Sequence, residues 1–378
     1  FFGTATHKKP QKMRVVGVAL LLLPLATAFL PAPAIVSGNA SRRVGSLSAK
    51  NANGARTASM QFQLPKINLP SFGGGAPGAS PAQTKTVAIS GASGLVGKAL
   101  AQSLTKSGYE VKPLSRSGGA LVVSPEDLEG LDCVYHLAGE NIATGQGPLG
   151  ALGVQAWSAS KKQEILQSRV QGTKAVVDAI NACKRPPKAL VCASAVGVYG
   201  YTSGEQLMTE ASPQGSGFLA EVVTAWEQEA NKAKCRVVNA RFGVILSKEA
   251  GALGKLLPIF QLGGGGILGS GQQYFPWVSL RDVVGALEFM GKGNLKGPYN
   301  VNAPGVVTNA DFTSALGEVL SRPTILPFPE FAAKLLFGQM GEEVLLGGQN
   351  PTPKKLQQAG FKFQDEDIKS GLKSALDK

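Results

Sequence analysis

Thr86-Val-Ala-Ile-Ser-Gly-Ala-Ser-Gly-Leu-Val-Gly97 is a short apolar run that breaks into three spaced glycines and continues as a helical pattern through Leu104. The run predicts a buried strand and the glycines predict its turn into a helix. Gly91 permits the tight turn, Gly94 lets backbone approach an anion, and Gly97 lets the helix lie close against the strand. A helix that opens there aims its free N–H groups at a negative charge, so the stretch reads as the phosphate cradle of a dinucleotide fold. About 20 residues further on, such a fold places an acid to hold a ribose 2′-hydroxyl. This chain has Leu114-Ser115-Arg116-Ser117 instead. An arginine at that point suits a 2′-phosphate, which makes NADP the expected cofactor.

Outward from the cradle, strand-like and helical patterns alternate. Strands are expected at Thr86–Ser90, Glu110–Ser115, Ala120–Val123, Val134–Leu137, Ala189–Ala193 and Arg236–Phe242, with helices from Leu95, over Lys161 to Cys183 and over Phe218–Ala233. That alternation predicts an α/β fold, a Rossmann-like doubly wound parallel sheet. Beyond Gly243 the texture changes to Gly263-Gly-Gly-Gly266 and Gly269-Ser-Gly271, after which Ser279 can cap a helix over Leu280–Met290. This later third reads as a smaller C-terminal α/β lobe. The expected division is 85–245 for the dinucleotide-binding domain, 246–326 for substrate-lobe elements and 327–378 for a C-terminal domain.

Of the net charge of +13, nine positive charges lie before residue 85 with no acid among them, which leaves +4 for the rest. The basic excess therefore sits in a Ser/Ala/Pro-rich tail rather than on a folded face, and this argues against a nucleic-acid partner. Met13-Arg14, the apolar Val15–Leu25 and Ala26-Thr27-Ala28 have the layout of a signal peptide, within a segment 1–28 whose first 12 residues read as upstream sequence. The following 29–84 are Ala/Ser-rich, carry Arg42, Arg43, Lys50 and Arg56, and end in a Pro/Gly linker, which is the composition of a transit peptide and spacer. A signal followed by a transit segment resembles the two-part plastid address of algae. No stretch after Thr84 is long and apolar enough to predict a transmembrane helix.

Cys133, Cys183, Cys192 and Cys235 show no C-x-x-C spacing and read as buried free thiols. With His7 and His136 the only histidines, neither a zinc site nor a histidine-based triad is expected. His136-Leu137-Ala138-Gly139-Glu140-Asn141 ends a strand in small residues, so backbone there can lie against the adenosine side of a dinucleotide.

The chain resembles the atypical short-chain dehydrogenase/reductase group known as epimerase family proteins, of the 39U type, which includes cell-division-inhibitor-like bacterial proteins and plastid-division homologues of plants. The segments that carry the resemblance are Gly91–Gly97, Ser115-Arg116, Leu137–Asn141, Ser168-Arg169, Trp226-Glu227, Arg241–Leu246, Leu268–Gln272 with Pro276-Trp277, and Leu346–Gln349 through Phe361. It implies NADP bound by Gly91, Ser93, Gly94, Leu95, Val96 and Gly97, by Ser115 and Arg116 at the 2′-phosphate, and by Leu137, Ala138 and Gly139 beside the adenosine. Glu164, Arg169 and Ile245 are similar to further cofactor contacts of the group. Read from the residues alone, Arg169 suits either a phosphate or a helix-surface ion pair with Glu164 or Glu140.

Catalysis is where the chain departs from the wider superfamily. Short-chain dehydrogenases use a Tyr-x-x-x-Lys pair in which the lysine lowers the pKa of the tyrosine. At the expected place this chain reads Phe218-Leu-Ala-Glu-Val222, which lacks both groups. The customary serine position holds Ala195, with Ser194 one residue early. Ser194 and Tyr199 remain as catalytic candidates, Tyr199 with a competing role in packing. Glu140, Glu221, Lys161, Lys162 and Asp282 have no partner at a diagnostic spacing, and Asp282 reads as a helix-dipole partner after Ser279. Trp157 and Trp277 are candidates to line a pocket. The expected function is NADP(H)-dependent redox or epimerase-like chemistry on a small molecule in the plastid. The alternative is a noncatalytic NADP-binding protein with a plastid protein partner, acting in plastid division or photosynthetic-complex assembly.

Overall fold

A computed structural model of the protein describes residues 85–143 and 156–378, so the expectations for residues 1–84 lie outside the described residues. The chain enters through β1 (Thr86–Ser90), α1 (Leu95–Lys106), β2 (Glu110–Leu114) and β3 (Cys133–His136). It continues with α2 (Ala159–Ala182), β4 (Ala189–Ala195), α3 (Phe218–Ala230), β5 (Arg236–Phe242), α4 (Leu280–Lys292) and β6 (Gly297–Val301). The six strands form one sheet in the order β2-β1-β3-β4-β5-β6, and every neighbouring pair is parallel. This is a Rossmann-like doubly wound arrangement, and its order reverses between β1 and β3.

Burial explains which strand goes where. Central strands of a parallel sheet are covered on both faces, and Val87–Ser90 and Cys133–His136 are buried at every position. On one face Val87, Ile89, Tyr135 and Val191 meet Leu100 and Leu104 of α1 and Val283 and Leu287 of α4. On the other, Ala88, Val134, Leu190 and Cys192 meet Val176 and Ile180 of α2 and Trp226 of α3. Each such aliphatic side chain removed from water contributes about 1.5–3 kcal/mol. The two prolines within the sheet, Pro113 in β2 and Pro298 in β6, stand on the two edge strands, where a missing N–H breaks no inner ladder.

Two segments differ from the expectation. Ala120–Leu121 is not a strand of the main sheet; it pairs antiparallel with Arg116–Ser117. Gly118 and Gly119 both take positive φ, 58° and 84°, and this closes a tight two-residue hairpin before the chain can cross to the sheet edge. The sixth parallel strand comes instead from Gly297–Val301, inside the stretch read as lobe elements, so 246–326 serves both sheet and lobe. The lobe has its own core, in which Trp277, Phe312, Leu316 and Leu372 are buried together. Trp277 is therefore a fully buried core residue. All four cysteines are free, and among the described residues no helix is long and apolar enough to cross a membrane.

Asp282 does more than complement a helix dipole. It is buried in the first turn of α4, takes the Ser279 hydroxyl at 3.0 Å, and accepts the backbone N–H groups of Gln364 at 2.8 Å and Asp365 at 3.0 Å. One carboxylate thus fastens the C-terminal segment to the sheet domain. Asp282→Ala is expected to lower unfolding free energy by about 3 kcal/mol, because it orphans buried donors that bonded a charge. Loss of the exposed Thr308–Asp311 capping box in Asp311→Ala should cost about 1 kcal/mol. Urea denaturation of both variants measures the difference, and equal costs would contradict the role given to Asp282.

Candidate functional site

The passage from β1 into α1 leaves no room for a side chain at Gly91 or Gly97. Gly91 has φ of +73°, and a Cβ there would lie 3.0 Å from the Leu137 carbonyl carbon and the Ala138 nitrogen. A Cβ on Gly97 would come within 2.2 Å of the Gly91 carbonyl oxygen. Backbone therefore packs on backbone from β1 to α1 and from β1 to the end of β3. α1 starts at Gly94 with no side-chain cap and no acid in its first turn. Its N-terminal N–H groups and partial positive charge remain available to an anion.

The facing wall is fixed by a buried network that the sequence reading missed. Ser90 Oγ lies 2.7 Å from His136 Nδ1 and accepts the N–H groups of Leu137 at 3.1 Å and Ala138 at 3.3 Å. His136 Nε2 is 3.0 Å from Thr173 Oγ1 on α2. With its lone pairs facing those N–H groups, Ser90 donates to Nδ1, so Nε2 carries the proton and donates to Thr173. Burial, and secondarily the charge of Arg116, pulls the His136 pKa down to about 4, so the ring is neutral at physiological pH. The network holds Leu137–Ala138 against Gly91. Its only signal in the sequence is a polar pair, Ser90 and His136, at the ends of two adjacent apolar runs.

Between these walls lies a cleft of about 250 Å³ at the carboxyl ends of β3, β4 and β5, reaching Val96 in the first turn of α1. Among the expected cofactor residues, Val96, Leu137, Gly139 and Arg169 line it together. Arg169 is not a surface ion-pair residue. Its guanidinium stacks 5.1 Å from the Trp226 ring centre, and Nη1 donates to the carbonyl oxygens of Glu140 at 3.0 Å and Ile165 at 3.2 Å. The Glu140 carboxylate is taken by Lys161 at 2.6 Å, and Lys161 lies 3.6 Å from Glu164 as well. Among the described residues no carboxylate pairs with Arg169. Burial lowers its pKa to about 10, with the nearby Glu140 charge opposing, so it remains a cation beside the cleft with no ion pair among the described residues. Such a group favours an incoming anion.

Other expected contacts are spread around this centre. Ser93 and Gly94 are exposed on the cradle turn, and Leu95 opens α1. Ser115 and Arg116 are exposed, Arg116 on the hairpin beyond β2, with its charge felt at His136 and Glu140. Ala138 is buried beneath Gly91. Glu164 is 57% exposed on α2, and Ile245 packs against the core in the short strand Val244–Leu246.

Where a Tyr/Lys pair would stand, the structure has an apolar wall. Phe218 meets Trp157 edge-on at 5.2 Å, and Val222 lines the cleft. Gly217, with φ of 107°, supplies no cap to α3; the Glu343 carboxylate does so, accepting Phe218 N–H at 2.9 Å and Leu219 N–H at 3.0 Å. The catalytic candidates join one buried network. Ser194 donates to Glu227 Oε1 at 2.5 Å, and Arg241 donates to both Glu227 oxygens at 2.8 Å. Arg241 also donates to the Tyr199 hydroxyl at 3.0 Å, and Tyr199 donates to Asn300 Oδ1 at 2.7 Å. Burial raises the Tyr199 pKa despite Arg241 beside it. Ser194 lines the cleft; Tyr199 is not among its lining residues. The phenol thus acts in packing and bonding within the sheet domain.

His136 makes stability depend on pH in a defined window. The unfolded ring takes a proton near pH 6.5 and the folded ring only near 4. Its contribution is therefore complete above pH 6.5 and is lost as pH falls toward 4, in total roughly 3 kcal/mol. Urea unfolding at pH 7.5 and 4.5 should show that loss, and His136→Asn should flatten it. An unchanged slope in the variant would exclude His136 as its source.

The comparisons with known proteins agree with this architecture. The family model described as NAD dependent epimerase/dehydratase family matches residues 87–302, and one described as domain of unknown function (DUF1731) matches residues 328–375. The chain is 38% identical over 301 residues to the epimerase family protein Mb2239 of Mycobacterium bovis, spanning 76% of this chain and 96% of that protein. It is 37% identical over 313 residues to the Arabidopsis thaliana epimerase family protein SDR39U1 homolog, described as chloroplastic, spanning 77% and 86%. The crystal structure of human epimerase family protein SDR39U1 with NADPH superposes with a TM-score of 0.69 at 32% identity, covering 77% of this chain and 99% of that one. Glycine cradle, strand order and sequence thus converge, and the chain belongs to the NAD dependent epimerase/dehydratase family, alongside relatives named SDR39U1.

Proposed function

We propose that this chain binds NADP(H) in the cleft and carries out redox or epimerase-like chemistry on a small molecule in the plastid. One observation supports the cofactor above all. An uncapped, acid-free helix N-terminus and a cation without a carboxylate partner, Arg169, border the same cleft, with Arg116 exposed on the neighbouring hairpin. A dinucleotide phosphate fits that donor set, and the human relative was solved with NADPH. When bound, the nicotinamide would supply hydride transfer. The α1 N-terminus would hold the pyrophosphate, Ser115 and Arg116 the 2′-phosphate, and the bend Leu137–Gly139 the adenosine side. Leu219, Val222 and Trp226 would exclude water from the inner cleft.

A second reading has its own support. The described residues of the cleft offer no Tyr/Lys pair, and the Ser194 and Tyr199 protons are both engaged inside the protein. That arrangement suits a noncatalytic role in which the bound cofactor steadies a surface for a plastid protein partner. Turnover of NADPH with any compound of a metabolite panel would decide for the enzyme. Plastid residence is supported by the signal-plus-transit composition of residues 13–84 and by the chloroplastic Arabidopsis relative. A fluorescent fusion of residues 13–84 should enter plastids, and retention in the secretory lumen would refute the two-part address.

The two arginines have separable consequences. Arg116→Ala should raise the Kd for NADPH about 10–100-fold, as expected for a charge-assisted phosphate contact, and leave NADH binding unchanged. Arg169→Gln should weaken NADPH and NADH alike, since it would meet a phosphate that both carry. Fluorescence titration of the purified full chain measures all four constants. Equal loss of both cofactors in Arg116→Ala would remove the 2′-phosphate assignment.

A further inference from the structure

The proton of Ser194 is already committed. Arg241 grips both oxygens of Glu227 at 2.8 Å, in a pair whose side chains are 9% and 12% exposed, so Glu227 is held as a carboxylate. A carboxylate only accepts, and in the 2.5 Å contact between Ser194 and Glu227 the serine must therefore be the donor. A hydroxyl has one hydrogen and two lone pairs. What Ser194 has left for the cleft it lines is acceptor capacity alone, and among the described residues nothing donates to its oxygen. A serine free to rotate would donate to a carbonyl oxygen. This one would repel it.

The position of Ser194 says which part of a ligand it meets. The strand order reverses between β1 and β3, and a dinucleotide laid across that point sends its halves in opposite directions along the sheet. The adenosine half runs toward β2 and the Arg116 hairpin. The nicotinamide half runs over β3, β4 and β5, and Ser194 stands at the end of β4 beneath the apolar Leu219, Val222 and Trp226. Those side chains suit a flat ring, and Ser194 is the neutral polar residue lining the cleft with them, alongside the Arg169 cation. We infer that Ser194 is a specificity-determining acceptor that takes a hydrogen bond from the carboxamide N–H of nicotinamide, with Glu227 and Arg241 as the positioning residues that hold it in that role. The assignment rests on the NADP(H) reading and deepens it.

The test compares NADP+ with its 3-acetylpyridine analogue, in which a methyl ketone replaces the carboxamide and no N–H remains. Titrations of the full chain should show NADP+ favoured by about 3–10-fold, the worth of one neutral hydrogen bond. In Ser194→Ala, which removes a single hydroxyl, that ratio should fall toward 1. In Glu227→Gln the amide can donate to Ser194 and free its proton for the cleft, so the ratio should fall or invert. Thermal melting confirms that each variant is folded, and either variant alone is sufficient. A ratio that stays the same in wild type and variants overturns the inference while leaving cofactor binding intact. Absence of NADP+ binding to wild type would overturn the underlying reading as well.

Discussion

The close approach of Gly91 to the Leu137–Ala138 peptide is the constraint on which the rest of the molecule depends. With the backbone of β1 resting on the end of β3, and Gly97 of α1 resting on Gly91, no side chain stands between strand, strand and helix. The contact closes one side of the cleft, brings the N-terminus of α1 to its rim, and sets the point at which the sheet reverses its winding. Three spaced glycines make it sterically possible. They do not hold it in place. That is done by Ser90 and His136, whose hydrogen bonds reach both backbone N–H groups of Leu137–Ala138 and tie them to Thr173 on α2. Such a buried network is worth having only when fully satisfied, and here every member has a partner.

A second buried network lies beneath the cleft, between β4, β5 and α3. Arg241 and Glu227 form a pair in the interior with Ser194 and Tyr199 attached on either side. Removing one partner of such a pair leaves an uncompensated buried charge, typically at a cost of about 3–5 kcal/mol. The arrangement therefore constrains chemistry through stability: the hydroxyls nearest the cleft are fixed by groups the fold needs. The superfamily's phenol and amine are replaced by Phe218 and Val222, and the helix that would carry them is capped from outside by Glu343.

That cap shows how the C-terminal domain belongs to the site. Glu343 takes the first N–H groups of α3, Gln339 donates to Glu343 at 2.7 Å, and Lys162 on α2 donates to Gln339. Gln349 donates to the Gly200 carbonyl, and Asp282 holds Gln364 and Asp365 from the sheet side. Apart from the local Gln339–Glu343 pair and the side-chain link from Lys162, these bonds join carboxylates or an amide to main-chain groups far away in sequence. The C-terminal segment acts as a frame that positions the walls of the cleft.

The sequence by itself determined the parts whose cause is local. The alternation of apolar runs and helical patterns required a parallel sheet, the spacing of Gly91, Gly94 and Gly97 required a close strand-to-helix turn, and the absence of Tyr and Lys at positions 218 and 222 was evident without coordinates. The Ala120–Val123 run misled because its apolar character resembled a strand, while Gly118-Gly119 folded it back on Arg116–Ser117. Tertiary structure alone decided that Arg169 stacks on Trp226 instead of pairing with Glu140, since Lys161 reaches that carboxylate first. It also decided that Asp282 binds residues more than 80 positions away and that the proton of Ser194 points at Glu227. The physical reason is common to all three. A polar side chain in a dry interior takes whichever partner the packed backbone brings within hydrogen-bond distance, and spacing along the chain carries no record of that choice.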